Sequence, residues 1–289
     1  MNYLFHIGIL IGLYTILGLS LNLVLGFGGM LSLCHAAFYG IGAYAFALLL
    51  IQGELPFPLS FLLAVLFTGT VAYLISVPAT RFHGDFFVLA TLAFQMITGT
   101  VLHGWVGLTQ GPYGIRGIPK PSVLGVSIIS TVQFFAFALL SAAVVCFVTW
   151  RLTRSPFGRT LQAVRDDELA AEAMGKHAVQ FRRIAFTIGG TLAACAGVIF
   201  ASYSTYIDPT SFGIDESVFI LTAVVVGGTG NLRGPFLGAV MIVLLPELLR
   251  FLKTPDSIAA NVRQIVYGLS LVLMMRFRPQ GIAGKYSYD

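Results

Sequence analysis

The residues that could do chemistry in this chain are few, and their spacing argues against catalysis. His6, His35, His83, His103 and His177 show no metal-ligand spacing. Ser20 lies in Gly18-Leu19-Ser20-Leu21-Asn22 rather than in the G-x-S-x-G turn that exposes a hydrolase nucleophile. A phosphate-cradling loop needs G-x-x-x-x-G-K-[ST]. Gly175-Lys176 lacks the upstream glycine and the following hydroxyl, and Gly284-Lys285 fails likewise. No catalytic residue and no metal site are assigned, and the chain cannot hydrolyse ATP by that route. Cys34, Cys146 and Cys195 sit in apolar stretches without C-x-x-C spacing and read as small core residues.

The elements that must hold these residues follow from composition. Of 289 residues, 57% are hydrophobic and 10% charged, against about 25% charged in soluble domains. The first charged residue is Glu54, and stretches 86 to 115 and 121 to 150 contain none. Such stretches can each cross a bilayer, which needs roughly 20 apolar residues. The expected fold is an all-α integral membrane protein, a polytopic bundle of about 8–10 segments with Gly-broken or re-entrant helices, forming one transmembrane domain over residues 1–289. The start of the chain lacks a basic region and an A-x-A-like site, so residues 3 to 26 read as a first span rather than a cleaved signal. The net charge of +5 could suggest nucleic acid, but no basic patch is interleaved with aromatics. Nucleic acid is not an expected partner; membrane lipid is.

Nine apolar segments can be drawn, at about 4–26, 30–51, 57–79, 86–104, 126–150, 184–206, 216–229, 234–252 and 262–277. The stretch 216–229 makes about 21 Å of helix, short of the roughly 30 Å hydrocarbon. It ends in Gly227-Gly228-Thr229-Gly230-Asn231-Leu232-Arg233-Gly234-Pro235, and a second cluster, Gly26-Phe27-Gly28-Gly29, separates the first two segments. Broken or re-entrant helices free backbone groups that lipid cannot satisfy, so both breaks must face protein, a water-filled cavity or the membrane surface. Paired interruptions in transporters point toward the transport path. The candidates there are Gly28, Gly29, His35, Gly227, Gly228, Gly230 and Asn231, and the two regions suggest a weak parallel internal repeat. His35 reads either as a core histidine or as a pathway group. Glu247, with Arg250 three residues on, reads as an interfacial ion pair. The absence of buried carboxylates from the first five segments counts against a proton-driven carrier. Small residues recur every fourth position at Gly189, Ala193, Gly197 and Ala201, at Gly8 and Gly12, and at Gly234 and Gly238. These stripes suit packing within the chain or a subunit seam.

The polar loop at about 151–183 carries seven basic and four acidic residues, so the positive-inside rule makes it cytoplasmic. Counting outward places Arg81, Arg233, Arg276, Arg278 and Lys285 inside too, with the N-terminus external and the C-terminus cytoplasmic. Within the loop, residues 167–174 are strong helix formers closed by Gly175, which predicts a short, exposed, alanine-rich helix that either docks into a partner's groove with Ala171 facing it or serves as a solvated connector.

Ser155-Pro156-Phe157-Gly158-Arg159, the run Ala163 to Ala171, Gly175, Arg182-Arg183-Ile184-Ala185-Phe186, Thr91-Leu92-Ala93-Phe94, Leu108 to Pro119 and the Gly227–Pro235 break together resemble the permease subunits of branched-chain amino acid ABC importers, LivM type, over about residues 18 to 283. The resemblance implies a bacterial cytoplasmic (inner) membrane location and ATP-driven import of branched-chain or neutral amino acids into the cytoplasm. The implied partners are a second homologous permease of LivH type, two cytoplasmic ATPases that bind ATP and Mg, and an external, periplasmic amino-acid-binding protein; no cofactor belongs to this chain. The coupling region implied comprises Arg165, Asp166, Asp167, Glu168, Ala170, Ala171 and Gly175. The importer pattern E-A-A with Gly three residues later is partly met, since Leu169 stands where the acid belongs and Glu168 is one position early. Related permeases for urea or short amides, and an ion-coupled secondary carrier, are the alternatives.

Overall fold

A computed structural model of the chain describes residues 2–123, 126–128 and 130–251, and residues 262, 265–266, 268–269, 272–273, 276 and 281–283 beyond them. Helix α1 (Asn2–Asn22) has no charged residue and continues as a π-helical stretch, Leu23–Phe27, before helical geometry is lost after Gly28. There follow α2 (His35–Ile51), α3 (Phe57–Ala79), α4 (Asp85–Gly104), the single turn α5 (Val106–Thr109), α6 (Thr131–Arg154), α7 (Pro156–Asp166), α8 (Glu168–Ala173), α9 (Ala178–Ser204), α10 (Ile214–Gly227) and α11 (Arg233–Phe251). Two small antiparallel ladders pair Ile115–Arg116 with Tyr206–Ile207 and Ser122–Val123 with Val126–Ser127.

Among the described residues, five helical runs are long and apolar enough to span a membrane, namely Tyr3–Phe27, Phe57–Ala79, Asp85–Gly104, Thr131–Arg154 and Ala178–Ser204; His35–Ile51 and Arg233–Leu245 are shorter apolar helices. The chain is a multi-pass, all-α membrane protein. Buried residues make up 61% and 67% of the most apolar part of the runs in α1 and α9, but only 17% of that in α6, so α1 and α9 form the centre. The outer helices α3, α4 and α6 turn Leu66, Leu74, Leu89, Ile97, Leu140 and Phe147 outward, as a lipid-facing surface requires.

Close approach of backbones builds the centre. On α3 the buried positions Ser60, Ala64, Thr68, Ala72 and Ser76 recur every fourth residue and make a small-residue face. A Cβ on Gly190 of α9 would lie 2.7 Å from the Ala72 side chain, and one on Gly197 only 2.1 Å from the Tyr39 carbonyl of α2. A Cβ on Gly238 of α11 would lie 1.8 Å from the Ala223 carbonyl of α10, and one on Gly12 of α1 would lie 3.7 Å from the Ala138 carbonyl of α6. The glycine stripes therefore serve packing within this chain.

Several boundaries differ from those read in the sequence. The second segment begins at His35 rather than near residue 30, because the intervening residues turn out of helical geometry. The fifth begins at Thr131, where Ser130 accepts from the Gln133 amide at 3.2 Å in a capping box. The polar loop at 151–183 is almost wholly helical: α6 runs to Arg154, α7 and α8 follow, and α9 starts at Ala178. Most of segment 262–277, together with Arg278, Lys285 and the side chain of Arg250, lies outside the described residues. Glu247 accepts a hydrogen bond from the Tyr3 hydroxyl of α1.

Candidate functional site

The chain leaves α1 through its π-helical end, and backbone amides near the start of α2 lack helical acceptors. Side chains from distant helices supply them. The Leu33 amide donates to Thr91 Oγ1 at 3.2 Å, the Ala36 amide to Ser217 Oγ at 3.0 Å and the Ala37 amide to Gln95 Oε1 at 2.8 Å. Gln95 in turn donates through Nε2 to the Phe212 carbonyl at 2.8 Å and accepts from Ser217 Oγ at 3.2 Å. Thus α4 and α10 complete the N-terminus of α2. His35 is its first residue, 1% exposed, set edge-on to Phe38 with ring centroids 6.2 Å apart and with the Ser20 backbone beside its ring.

The second break opens where α10 ends at Gly227. Gly228 has φ +114° and Gly230 φ +71°, conformations open to glycine and strained for other residues. The amides of Ile282 and Ala283 donate to the carbonyls of Val226 and Gly227, both at 3.0 Å, satisfying the end of α10. Asn231 accepts from the Arg233 amide at 3.3 Å as α11 begins, and donates through Nδ2 to the Ala283 carbonyl at 2.8 Å.

One buried amide joins the two breaks. Asn22, at the last α-helical turn of α1, donates through Nδ2 to the Asn231 carbonyl at 3.0 Å and accepts from the Gly230 amide at 3.0 Å. The contact has no room for a side chain at Gly26, where a Cβ would lie 2.2 Å from Asn22 Oδ1 and 2.4 Å from the Gly230 nitrogen. Gly28 keeps ordinary right-handed geometry, with φ −97°, whereas Gly29 has φ +68°.

The polar helices α7 and α8 reach this junction through Arg165. Its Nη1 donates to the Gly26 carbonyl at 2.6 Å, while Nε and Nη2 donate to Asp166 Oδ1 at 2.9 and 2.7 Å. The stem of Arg165 packs on Gly29. Other assigned acids also act within the chain. Asp167 caps α8, accepting from the Ala170 amide at 2.9 Å, and Glu168 lies between Arg182 and His83, the latter 3.4 Å away. Gly175, with φ +77°, ends α8 in a Schellman motif: its amide donates to Glu172 at 2.9 Å and that of Lys176 to Ala171 at 3.1 Å. One side chain points differently from expectation. Ala171 is 5% exposed and packs with Val164 and Ala178, so it faces its own chain, whereas Leu169 and Met174 are each 80% exposed and Ala170 is exposed beside them.

The structure thus brings Arg165, Gly29, Gly230 and Asn231 to one junction, while His35 stands apart from it in the core. The sequence reading missed Asn22, Thr91, Gln95 and Ser217. Asn22 and Gln95 did carry a signal, because an amide inside a charge-free apolar stretch requires partners.

Comparison with known proteins agrees with this architecture. The family described as "Branched-chain amino acid transport system / permease component" matches residues 3–275. The permease protein LivM of the high-affinity branched-chain amino acid transport system of Escherichia coli K12 is 35% identical over 93% of this chain and 67% of its own length. A probable LivM of Methanocaldococcus jannaschii is 26% identical over 94% of this chain and 90% of its own. The autoinducer 2 import permease LsrC of Klebsiella pneumoniae is 30% identical over 67% and 54%. No solved structure matches. On the length and identity of these matches, the chain belongs to the permease-component family of the branched-chain amino acid transport systems.

Proposed function

We propose that this chain is one of two translocation subunits of an ATP-driven importer that moves branched-chain amino acids into the cytoplasm. The whole chain serves as one transmembrane permease domain, with the region at about 151–183 on the cytoplasmic side, the N-terminus external and the C-terminus cytoplasmic in a bacterial inner membrane. Two ATPase subunits bind ATP and Mg and hold α7 and α8 through the exposed face of Leu169, Ala170 and Met174. A second permease completes the pathway, and an external binding protein delivers the amino acid.

The observation that carries this reading is the bond from Arg165 to the Gly26 carbonyl, continued by Asn22 to Gly230 and Asn231. Movement of the α7–α8 pair is thereby coupled to both helix breaks, whose glycine conformations let the flanking helices change direction. Closure of the ATPases would shift the pair, and the breaks would convert that shift into alternating access. A branched-chain substrate is favoured over the autoinducer 2 reading because the LivM relatives match 93% or more of the chain. The test is uptake of L-leucine into proteoliposomes. The complete assembly should need ATP inside and binding protein outside, and this chain alone should neither hydrolyse ATP nor transport down an ion gradient. Gradient-driven uptake by the chain alone would overturn the importer reading in favour of a carrier.

A further inference from the structure

A small cavity of about 170 Å³ lies between α1, α2, α9 and α10, and no part of the junction described above lines it. It is lined by the polar side chains of Glu216, Tyr14 and Ser211 and by the apolar side chains of Leu13, Leu17 and Phe200. The Tyr14 hydroxyl donates to Glu216 Oε1 at 2.8 Å. Tyr14 is about 18 Å along the helical run that starts at Asn2, which is close to the middle of a roughly 30 Å hydrocarbon layer. A carboxylate at that depth is costly and marks a pathway group. The volume is below the roughly 300–1,000 Å³ of drug-sized pockets, which limits an occupant to a small molecule.

We propose that this cavity is a transient binding site for a small aliphatic ammonium compound, with the ammonium group on Glu216 and the hydrocarbon portion against Leu13, Leu17 and Phe200. Charge-assisted N–H···O bonds to the carboxylate fix one end of the ligand, and the leucine and phenylalanine walls favour a branched alkyl group at the other. The inference rests on the import reading above and adds to it a site within this subunit where the cargo pauses.

The test uses the complete assembly in proteoliposomes, with L-leucine as probe and the amount moved per ATP hydrolysed as readout. Glu216→Gln should lower that ratio roughly tenfold or more by removing the charge-assisted bond. Glu216→Asp, which keeps the charge, should recover much of it, and Tyr14→Phe should cost only a few-fold. A ratio in Glu216→Gln within about twofold of the unmutated assembly would overturn the site, a tenfold change being about 1.4 kcal/mol. Equal losses in all three variants would also overturn it, since they would mark a structural hydrogen bond. Should Glu216→Gln fail to assemble, Phe200→Ala, which removes part of the apolar wall, should raise the leucine concentration needed for half-maximal uptake, and an unchanged concentration dependence there would overturn the site. Failure of the unmutated assembly to take up leucine would instead remove the import reading, and this inference with it.

Discussion

Replacing Asn22 by alanine tests the junction between the two breaks. The substitution removes both bonds of a fully buried amide and leaves the Gly230 amide and the Asn231 carbonyl without that partner. Side-chain hydrogen bonds between membrane helices average only about 0.6 kcal/mol, because the freed side chains find other partners. That figure does not apply to these groups: they belong to non-helical backbone that cannot re-pair within its own segment, so each lost partner costs about 1–3 kcal/mol. Two partners are lost, about 2–6 kcal/mol together, so local opening of residues 228–232 should rise by about 30-fold or more. Hydrogen exchange on the solubilised protein reads this directly. Amide protection at Gly230 should fall by that factor in Asn22→Ala, while α9 around Gly197, which does not touch Asn22, keeps its protection. Unchanged protection at Gly230 would refute the reasoning, and a uniform fall across α9 would show that the substitution loosens the whole bundle rather than the junction.

Other expected outcomes follow from the same geometry. Gly228→Val and Gly230→Val place a β-branched residue at positive φ, a strain of about 1–3 kcal/mol; membrane abundance should persist while leucine uptake falls, and normal uptake in both would make the break an ordinary loop. Ala171→Arg forces a long charged side chain between Val164 and Ala178, an overpacking cost of about 1–3 kcal/mol. It should weaken ATPase co-purification far more than Lys176→Glu on the exposed side, and equal retention in the two would contradict the packing seen for Ala171. Leu169→Glu leaves that packing untouched, so circular dichroism and membrane abundance should not change while ATPase retention drops; full retention would remove Leu169 from the contact surface.

Much of the fold was legible because the membrane imposes simple rules on a sequence. Charge-free stretches of about twenty residues located α1, α3, α4, α6 and α9, with α3 read to the residue, while α6 begins at Thr131 rather than near residue 126 and α9 at Ala178 rather than near residue 184. Glycine clusters located both breaks, since glycine is needed where backbones turn at positive φ or approach closely. The start of α2 was misplaced because Met30–Cys34 is apolar enough to be helical, and only the side chains of Thr91, Gln95 and Ser217, more than 55 residues away in sequence, decide that it is not. The junction was illegible for a related reason. Asn22 lies 209 positions from Asn231, and Arg165 lies 139 from Gly26. No local pattern announces which distant carbonyl an amide or guanidinium will meet. The inward turn of Ala171 had the same source: an alanine suits a groove on a partner and a tight contact within one chain equally well, and only its neighbours distinguish them.

The central claim is that movement of the α7–α8 pair reaches the helix breaks through Arg165. The most direct measurement is leucine taken up per ATP hydrolysed by the reconstituted assembly carrying Arg165→Leu, which removes the bond to the Gly26 carbonyl and leaves the exposed face of α8 intact. A charged hydrogen bond of this kind contributes about 1.5–3 kcal/mol. The account predicts that both ATPases stay bound and hydrolyse ATP while the ratio falls by roughly tenfold or more. An unchanged ratio, with Arg165→Leu assembled and hydrolysing, would contradict it.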